Sequence, residues 1–221
     1  MQQPQKIIIA DDHPLFRQAL MTVLATKFAG VELFQANSVA ELDQLLDTLD
    51  NVDLLLLDLN IPKAHGFNTL INIRNCYPQM GVIVVSGQED PETICRSINY
   101  GAAGFVPKST PVEEMMTAIA TVLNGEQWLP EGVDGVNPVA ENSMESKIIS
   151  LSPRQHRILM MFADGMLNKQ IAHELGLSEA TIKAHASAIF LKLGVHTRTQ
   201  AVIAMNQLQL ENTSLSALAD Q

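Results

Sequence analysis

The chain has 221 residues, of which 47% are hydrophobic, and a formal net charge of −10. Its length suits two domains better than one, and no apolar run reaches the ~18 residues of a membrane-spanning helix, so we expect no membrane partner. Residues 1–146 carry 7 basic and 19 acidic side chains (net −12), whereas residues 147–221 carry 7 basic and 5 acidic ones (net +2). This asymmetry predicts two modules with different partners.

Apolar strands alternate with amphipathic helices in the first module. Strands are predicted at residues 6–10, 31–34, 52–58, 81–86 and 103–106. Helices are predicted at about 14–28, after Ser38, and at 66–75, 91–100 and 111–123. The first helix is predicted from the apolar residues Leu15, Ala19, Val23 and Leu24, which recur at helical spacing. The alternation predicts an α/β domain over residues 1–124, with a doubly wound, five-stranded parallel sheet of the flavodoxin type.

Carboxylates directly follow two of these strands. Leu54–Leu57 runs into Asp58, and Ile7–Ala10 runs into Asp11 and Asp12. An unpaired charge inside a sheet is costly, so these acids belong at the strand ends. The carboxyl ends of parallel strands share one edge, where ligands bind, and we therefore expect the three carboxylates to converge there.

A hydroxyl and an amine are expected at the same edge, because Ser86 ends the fourth strand and Lys108 follows the fifth. A Mg²⁺ ion held by Asp12 and Asp58 would neutralise an incoming phosphoryl group. Asp58 would attack that group, while Lys108 pairs with it and Ser86 hydrogen-bonds to it. Taken singly, an aspartate at such a position often only caps a helix or closes a turn, and a lysine is often solvated. Their occurrence together favours the functional interpretation.

Several stretches in the first module carry a family likeness. They are Asp11-Asp12, Leu57-Asp58-Leu59-Asn60-Ile61-Pro62, Val85-Ser86-Gly87 and Gly101-Ala102-Ala103-Gly104-Phe105-Val106-Pro107-Lys108. Together they resemble the receiver domain of two-component response regulators over residues 6–124.

The resemblance implies a role for each matched residue. Asp58 is the phosphoacceptor that a sensor histidine kinase loads, and Ser86 and Lys108 contact the phosphoryl group. Asp11 and Asp12 bind Mg²⁺ directly or through water. The other Mg²⁺ ligands are Asp58 and the main-chain carbonyl of Asn60. Phe105 takes the place of the switch aromatic that swings inward on activation; the alternative is an ordinary core residue.

Some residues depart from the common receiver pattern or lie beside it. His65 stands where relatives often have a small or acidic residue, and Gly87 where alanine is usual. Asn60 and Gln88 flank the phosphoryl position and are expected to influence its hydrolysis. His13 is expected to be a surface neighbour of the site rather than a ligand.

Residues 125–147 are predicted to form a linker, since glycine, proline and asparagine replace the periodic pattern there. Acidic residues keep it solvated. Trp128, the single tryptophan, is expected either to pin the start of this linker against the last receiver helix or to have no role.

The second module, residues 148–210, is predicted to be an all-α four-helix domain, followed by a tail at 211–221. Its first helix begins with Ser152 and Pro153, and its second covers 169–175, with Asn168 as the cap. The third runs from Glu179 to Leu193, and the fourth covers about 198–209. A short helix, a turn and a longer helix are typical of the helix-turn-helix motif, whose second helix enters the major groove of DNA. The alternative from pattern alone is a helical domain that binds protein.

Four stretches decide between these alternatives: Leu151–Arg154, Leu167–Ala172, Leu177–His185 and Lys192–Ala201. They resemble the LuxR-type DNA-binding domain, and the pairing with a receiver resembles the NarL/FixJ subfamily of transcription regulators. By this resemblance Lys183 and Ala184 face bases or nearby phosphates. Further candidate DNA contacts are Lys169, Thr181, His185, Ser187 and Arg198. Gln155 replaces the usual glutamate and Ser187 a frequent lysine; with the low charge, this predicts modest affinity for a single domain.

The sequence thus predicts a phosphorylation-dependent transcriptional regulator, not a conventional enzyme, which forms a homodimer on activation and binds promoter DNA; RNA polymerase is a further candidate partner. One alternative is a phosphate-independent DNA binder whose receiver is only a scaffold. Another is a Mg²⁺-dependent phosphohydrolase, although Asn60 cannot serve as its general acid. The polar N-terminus lacks a signal-peptide pattern, and Cys76 and Cys95 lack metal-type spacing, so reduced thiols and a cytoplasmic location are expected.

Overall fold

The computed structural model describes residues 4–64, 66–133 and 143–206. The chain divides into two compact units, Met1–Asn137 and Pro138–Gln221. His65, residues 134–142 of the predicted linker and the predicted tail at 211–221 lie outside the described residues. Within the described residues, no helix has both the length and the apolar character needed to cross a membrane.

Strands and helices alternate throughout the described part of the first unit, as the sequence predicts. Its elements, in chain order, are β1 (Lys6–Ala10), α1 (Pro14–Lys27), β2 (Glu32–Ala36), α2 (Val39–Thr48), β3 (Leu54–Leu57), α3 (Phe67–Cys76), β4 (Gly81–Ser86), α4 (Pro91–Asn99), β5 (Gly104–Pro107) and α5 (Val112–Leu123). All strand pairings are parallel, in the order β2-β1-β3-β4-β5. This order confirms the flavodoxin-type sheet and puts the point where the winding reverses between β1 and β3.

The central strands are buried on both faces. All four residues of β3 are buried. Leu54 and Leu56 belong to the core cluster that includes residues of α1 and α5, and the alternation of side chains turns Leu55 and Leu57 to the opposite face. Since both faces are covered, a charged side chain is accommodated only where the strand ends, at Asp58.

Helix α1 forms as predicted, but not all of its apolar residues face the core. Leu15 is 88% exposed, and Ala19 is also exposed. Leu20 and Leu24 are the buried residues of the helix. Two overlapping apolar stripes run along this helix, and the sheet beneath it decides which one is buried.

Trp128 packs against the core cluster that includes residues of α5, the last receiver helix, and its backbone pairs with the edge of the sheet. The backbone N–H of Trp128 donates to the carbonyl of Ala103 at 3.1 Å, and the carbonyl of Trp128 accepts the backbone N–H of Phe105 at 3.3 Å. Gly104 stands opposite, and a Cβ there would lie 3.3 Å from the Trp128 carbonyl oxygen. The first residues of the predicted linker therefore belong to the receiver sheet.

The described part of the second unit is helical. Its helices are α6 (Met144–Ile149), α7 (Pro153–Ala163), α8 (Asn168–Glu174), α9 (Glu179–Leu193) and α10 (198–206, the last described residues). Helix α6 crosses the predicted boundary between the linker and the second module, so residues 144–147, predicted as linker, are helical. Ser143 Oγ accepts the N–H of Ser146 at 3.1 Å, and Ile148 is fully buried. Six residues are too few to show helical periodicity, which explains the error.

Serine caps begin α7 and α9 as predicted. Ser178 accepts the N–H of Thr181 at 3.1 Å, and Ser152 accepts that of Gln155 at 3.3 Å. The amide of Gln155 in turn accepts the N–H of Ser152 at 3.0 Å, so glutamine completes the capping box in place of glutamate. Asn168, predicted as a cap, is instead the first residue of α8.

Candidate functional site

The register of β1 against β3 brings two of the predicted acids together. Ala10 is opposite Leu57, and the N–H of Asp58 donates to the carbonyl of Ala10 at 2.8 Å. Asp11 and Asp58 therefore leave the sheet side by side, one residue beyond this pair. Each is only 2% exposed, so their charges are held largely out of water.

The ammonium of Lys108 bridges these two carboxylates. Its Nζ lies 2.7 Å from Asp58 Oδ2 and 2.8 Å from Asp11 Oδ2. The N–H of Lys108 donates to the carbonyl of Ser86 at 2.8 Å, which fixes the start of the β5–α5 loop, and Nζ lies 5.2 Å from the centre of the Phe16 ring. Burial lowers the pKa of Lys108, but the hydrogen bonds to Asp11 and Asp58 and their negative charges outweigh this effect and raise it. Lys108 therefore stays charged.

The donor set at this edge fits a hard divalent cation. Asp11, Asp12, His13 and Asp58 each offer a ligand atom, and these atoms lie within 4.8 Å of one another. Carboxylate oxygens are the ligands that Mg²⁺ prefers. Three carboxylates face one ammonium, so the cluster keeps an excess of two negative charges when His13 is neutral, and a divalent ion would balance it.

The other predicted receiver residues surround this cluster. Asp58 Oδ1 accepts the N–H of Asn60 at 2.9 Å, which orients the carboxylate. Ser86 is fully buried, and its Oγ accepts the N–H of Gln88 at 3.0 Å, while the hydroxyl can still donate its own proton. Phe105 is fully buried, so in this structure it is a core residue of β5.

In the second unit, α9 exposes a short polar row. Lys183, Ala184 and Ser187 are exposed, and Thr181 and His185 are half-buried. The hydroxyl of Ser187 donates to the carbonyl of Lys183 at 3.1 Å. This row has the spacing of one helix face, which is the arrangement that a groove-binding helix requires.

Not every predicted DNA contact is equally available. Lys169 is exposed on α8. The guanidinium of Arg198 instead donates to the carbonyl of Phe162 at 3.0 Å and lies 4.4 Å from the centre of the Phe162 ring. Its burial lowers the pKa of Arg198. Arg198 therefore holds α10 against α7, and Lys192 similarly donates to the carbonyl of Ser150 at 2.9 Å.

Comparison with known families agrees with this geometry. The response regulator receiver domain matches residues 7–120 of the chain, and the family described as bacterial regulatory proteins of the LuxR family matches residues 149–205. The chain belongs to the two-component response regulators. With its LuxR-type second domain, this response regulator is of the NarL/FixJ type.

Similar proteins cover almost the whole of this response regulator. It is 38% identical over 211 residues to the glycerol metabolism activator of Pseudomonas putida, covering 92% of this chain and 96% of that protein. It is 29% identical over 213 residues to the nitrate/nitrite response regulator NarL of Escherichia coli K12, covering 93% and 97%. A solved complex of the response regulator RcsB with DNA is 26% identical, with a TM-score of 0.53, covering 91% of this chain and 98% of that one.

Sequence reasoning missed three contacts around the acid cluster of this response regulator. His13 Nδ1 lies 2.8 Å from Asp12 Oδ1, so His13 contacts the acid cluster directly and is not merely a surface neighbour of it. Arg17 donates from its guanidinium to the carbonyl of Asp11, and Phe16 lies beside Lys108. His13 is the N-cap of α1, and Phe16 and Arg17 lie in its first turns. Their position directly after Asp12 in the chain is the sequence signal that could have pointed to these contacts.

Proposed function

We propose that Asp58 is the phosphoryl acceptor of this response regulator and that its phosphorylation switches the binding of the second unit to promoter DNA. The observation that carries this proposal is the Asp58 carboxylate, which is 2% exposed and lies 2.7 Å from the Lys108 ammonium at the end of β3. A carboxylate held in this way faces the edge of the sheet where ligands bind. The ammonium is placed to pair with the oxygens of an incoming phosphoryl group.

The phosphoryl group comes from a phosphohistidine of a sensor histidine kinase. A carboxylate oxygen of Asp58 forms a bond to phosphorus while the P–N bond breaks, and the imidazole that leaves takes up a proton. Lys108 then pairs with the transferred oxygens, and the Ser86 hydroxyl donates a hydrogen bond to one of them.

A Mg²⁺ ion at this site would be held by Asp11, Asp12, Asp58 and the main-chain carbonyl of Asn60, and it would neutralise charge on the phosphoryl oxygens. The buried position of Asp11 and Asp58 supports this assignment, because a second carboxylate beside the acceptor repels an anionic donor unless its charge is balanced.

The switch runs through β4 and β5. Ser86 and Phe105 are fully buried, and the carbonyl of Ser86 accepts the N–H of Lys108 at 2.8 Å. Movement of Ser86 toward the phosphoryl group therefore disturbs the packing next to Phe105. Phe105 repacks, which changes the face built from β5 and the last receiver helices. That change either frees the second unit or favours a homodimer.

Helix α9 is the DNA-reading helix of the second unit. Lys183 and Ala184 contact bases or nearby phosphates, and the exposed positions of both support this. The contacts to the DNA backbone come from Lys169, Thr181, His185 and Arg198, and Ser187 is a further DNA contact on the same helix face as Lys183. Arg198 has to leave its contact with Phe162 or reach the backbone beside it. RNA polymerase at the bound promoter is a further proposed partner, and DNA binding implies that the protein acts in the cytoplasm.

Two measurements test the proposal. Intact mass after treatment with acetyl phosphate and Mg²⁺ should show one added phosphoryl group on the wild type and none on Asp58→Ala. Asp47→Ala, which removes an exposed acid of α2, should be labelled like the wild type. Persistent stoichiometric labelling of Asp58→Ala would show that Asp58 is not the phosphoryl acceptor. Repeated turnover of phosphate esters by the wild type would favour a hydrolase.

The second measurement is a size-resolved titration with a pool of random DNA duplexes, with and without the phosphodonor. The switch is supported if the phosphodonor tightens DNA binding and shifts the wild type and Asp47→Ala to a dimer, but has neither effect on Asp58→Ala. Equal binding by all three proteins in every condition means that the receiver is only a scaffold.

A further inference from the structure

We propose that His13 is a ligand of the divalent cation site, through Nδ1, and that it makes the site prefer first-row transition ions such as Co²⁺ to Mg²⁺. This inference rests on the proposed cation site at Asp11, Asp12 and Asp58. It adds a nitrogen to a donor set that otherwise consists of oxygens.

The backbone of His13 is tied to the cluster. Its N–H donates to Asp11 Oδ1 at 2.7 Å, and its carbonyl accepts the N–H of Arg17 at 3.1 Å. Pro14, the first residue of α1, follows and restricts the backbone further. The backbone that carries the imidazole is thus held beside Asp11 by the turn into the helix.

The ring nitrogen that faces the cluster is Nδ1. It lies 2.8 Å from Asp12 Oδ1, 3.2 Å from Asp11 Oδ1 and 4.0 Å from Asp58 Oδ2. In an octahedral site with bonds of about 2.1 Å, neighbouring ligands lie about 3.0 Å apart and opposite ligands about 4.2 Å apart. The three distances fit a nitrogen adjacent to Asp11 and Asp12 and opposite Asp58.

The chemistry of the imidazole sets the preference. Imidazole nitrogen binds zinc, copper, iron and nickel well, whereas magnesium prefers carboxylates, carbonyls and water, and affinities rise from Mn²⁺ through Co²⁺ to Cu²⁺. His13 is 65% exposed, so solvent reaches the site and water can fill the remaining positions. The nearby Lys108 ammonium lies 3.2 Å from Nδ1 and contacts the same carboxylates, so a bound cation would compete with it for their oxygens.

The test uses the untagged full-length chain. Bound Mn²⁺ is examined by electron spin-echo modulation, which detects the nitrogen of a coordinated imidazole, and Co²⁺ and Mg²⁺ affinities are measured at one pH by titration and competition. The variants are His13→Ala and His13→Asn, because asparagine suits the helix N-cap that His13 occupies. The control is His173→Ala, which removes an exposed histidine of α8.

We expect the wild type and His173→Ala to show the nitrogen signal and both His13 variants to lose it. The affinity for Co²⁺ should fall by about tenfold or more in the variants, and the ratio of Co²⁺ to Mg²⁺ affinity should fall with it. A nitrogen signal and an affinity ratio that survive in both variants would overturn the role of His13 while leaving the cation site intact. If Asp12→Ala binds both ions as tightly as the wild type, the cation site and this inference fail together.

Discussion

Removing the charge of Lys108 should destabilise the receiver unit, because this ammonium compensates two buried carboxylates. Asp11 and Asp58 are each 2% exposed and lie 2.8 and 2.7 Å from Nζ. Loss of one partner from a buried ion pair costs about 3–5 kcal/mol, since the other charge is left uncompensated. Lys108 itself is 18% exposed, so solvent reaches it, and we expect Lys108→Met to cost about 2–3 kcal/mol.

Urea unfolding followed by tryptophan fluorescence measures this cost in the receiver unit. Trp128 is the single tryptophan of the chain, and it pairs with β5 of that unit. The control is Lys27→Met, at the exposed end of α1, which should change the free energy of unfolding by no more than about 0.5 kcal/mol. Mg²⁺ should stabilise Lys108→Met more than the wild type, because it supplies positive charge to the same carboxylates. A Lys108→Met protein as stable as the control would refute the reasoning.

The raised pKa of Lys108 fixes the pH range of this effect. A lysine whose pKa is raised by folding stabilises the folded state fully below its unfolded pKa of about 10.4, and this contribution is lost as the pH rises through the folded pKa. The difference between the wild type and Lys108→Met should therefore stay constant from neutral pH to about pH 10 and shrink above it. A difference that already disappears near neutral pH contradicts this assignment.

Three further predictions concern the second unit. Arg198→Met should lower its unfolding free energy by about 1–3 kcal/mol, through loss of the hydrogen bond and ring contact with Phe162; thermal melting followed by circular dichroism measures this, and unchanged melting would show that the contact is dispensable. Lys183→Ala should reduce the salt dependence of DNA binding by about one phosphate contact; an unchanged slope would show that Lys183 does not touch the backbone. Gln155→Ala should cost about 1 kcal/mol through loss of the capping box, whereas Gln155→Glu should not; equal destabilisation by both would contradict the capping role.

The sequence predicts the strands of the receiver well because burial on both faces leaves a continuous apolar run. The same runs locate Asp11 and Asp58, since a charge can follow such a strand but cannot interrupt it. Ser178 and Gly194 likewise bracket α9, because a serine cap and a left-handed glycine, with φ of 72° here, are local signals.

Other features depend on distant contacts and could not be predicted in this way. The sheet, not the helix pattern, decides that Leu20 rather than Leu15 is buried. Arg198 and Phe162 are 36 residues apart in sequence, so their contact depends on the packing of α10 against α7. The bridge that Lys108 makes between two carboxylates could not be predicted either, because only the folded sheet shows how close these charges lie.

The bond between Trp128 and Phe105 has a mechanical consequence for signalling. The proposed switch residue donates its backbone N–H to the carbonyl of Trp128 at 3.3 Å, and Trp128 lies just before the boundary of the two units at Asn137. Under the proposed switch, a shift of the Phe105 backbone would also move Trp128 and the chain that follows it. This strand-edge contact would then link the proposed switch residue to the segment that leaves the receiver sheet.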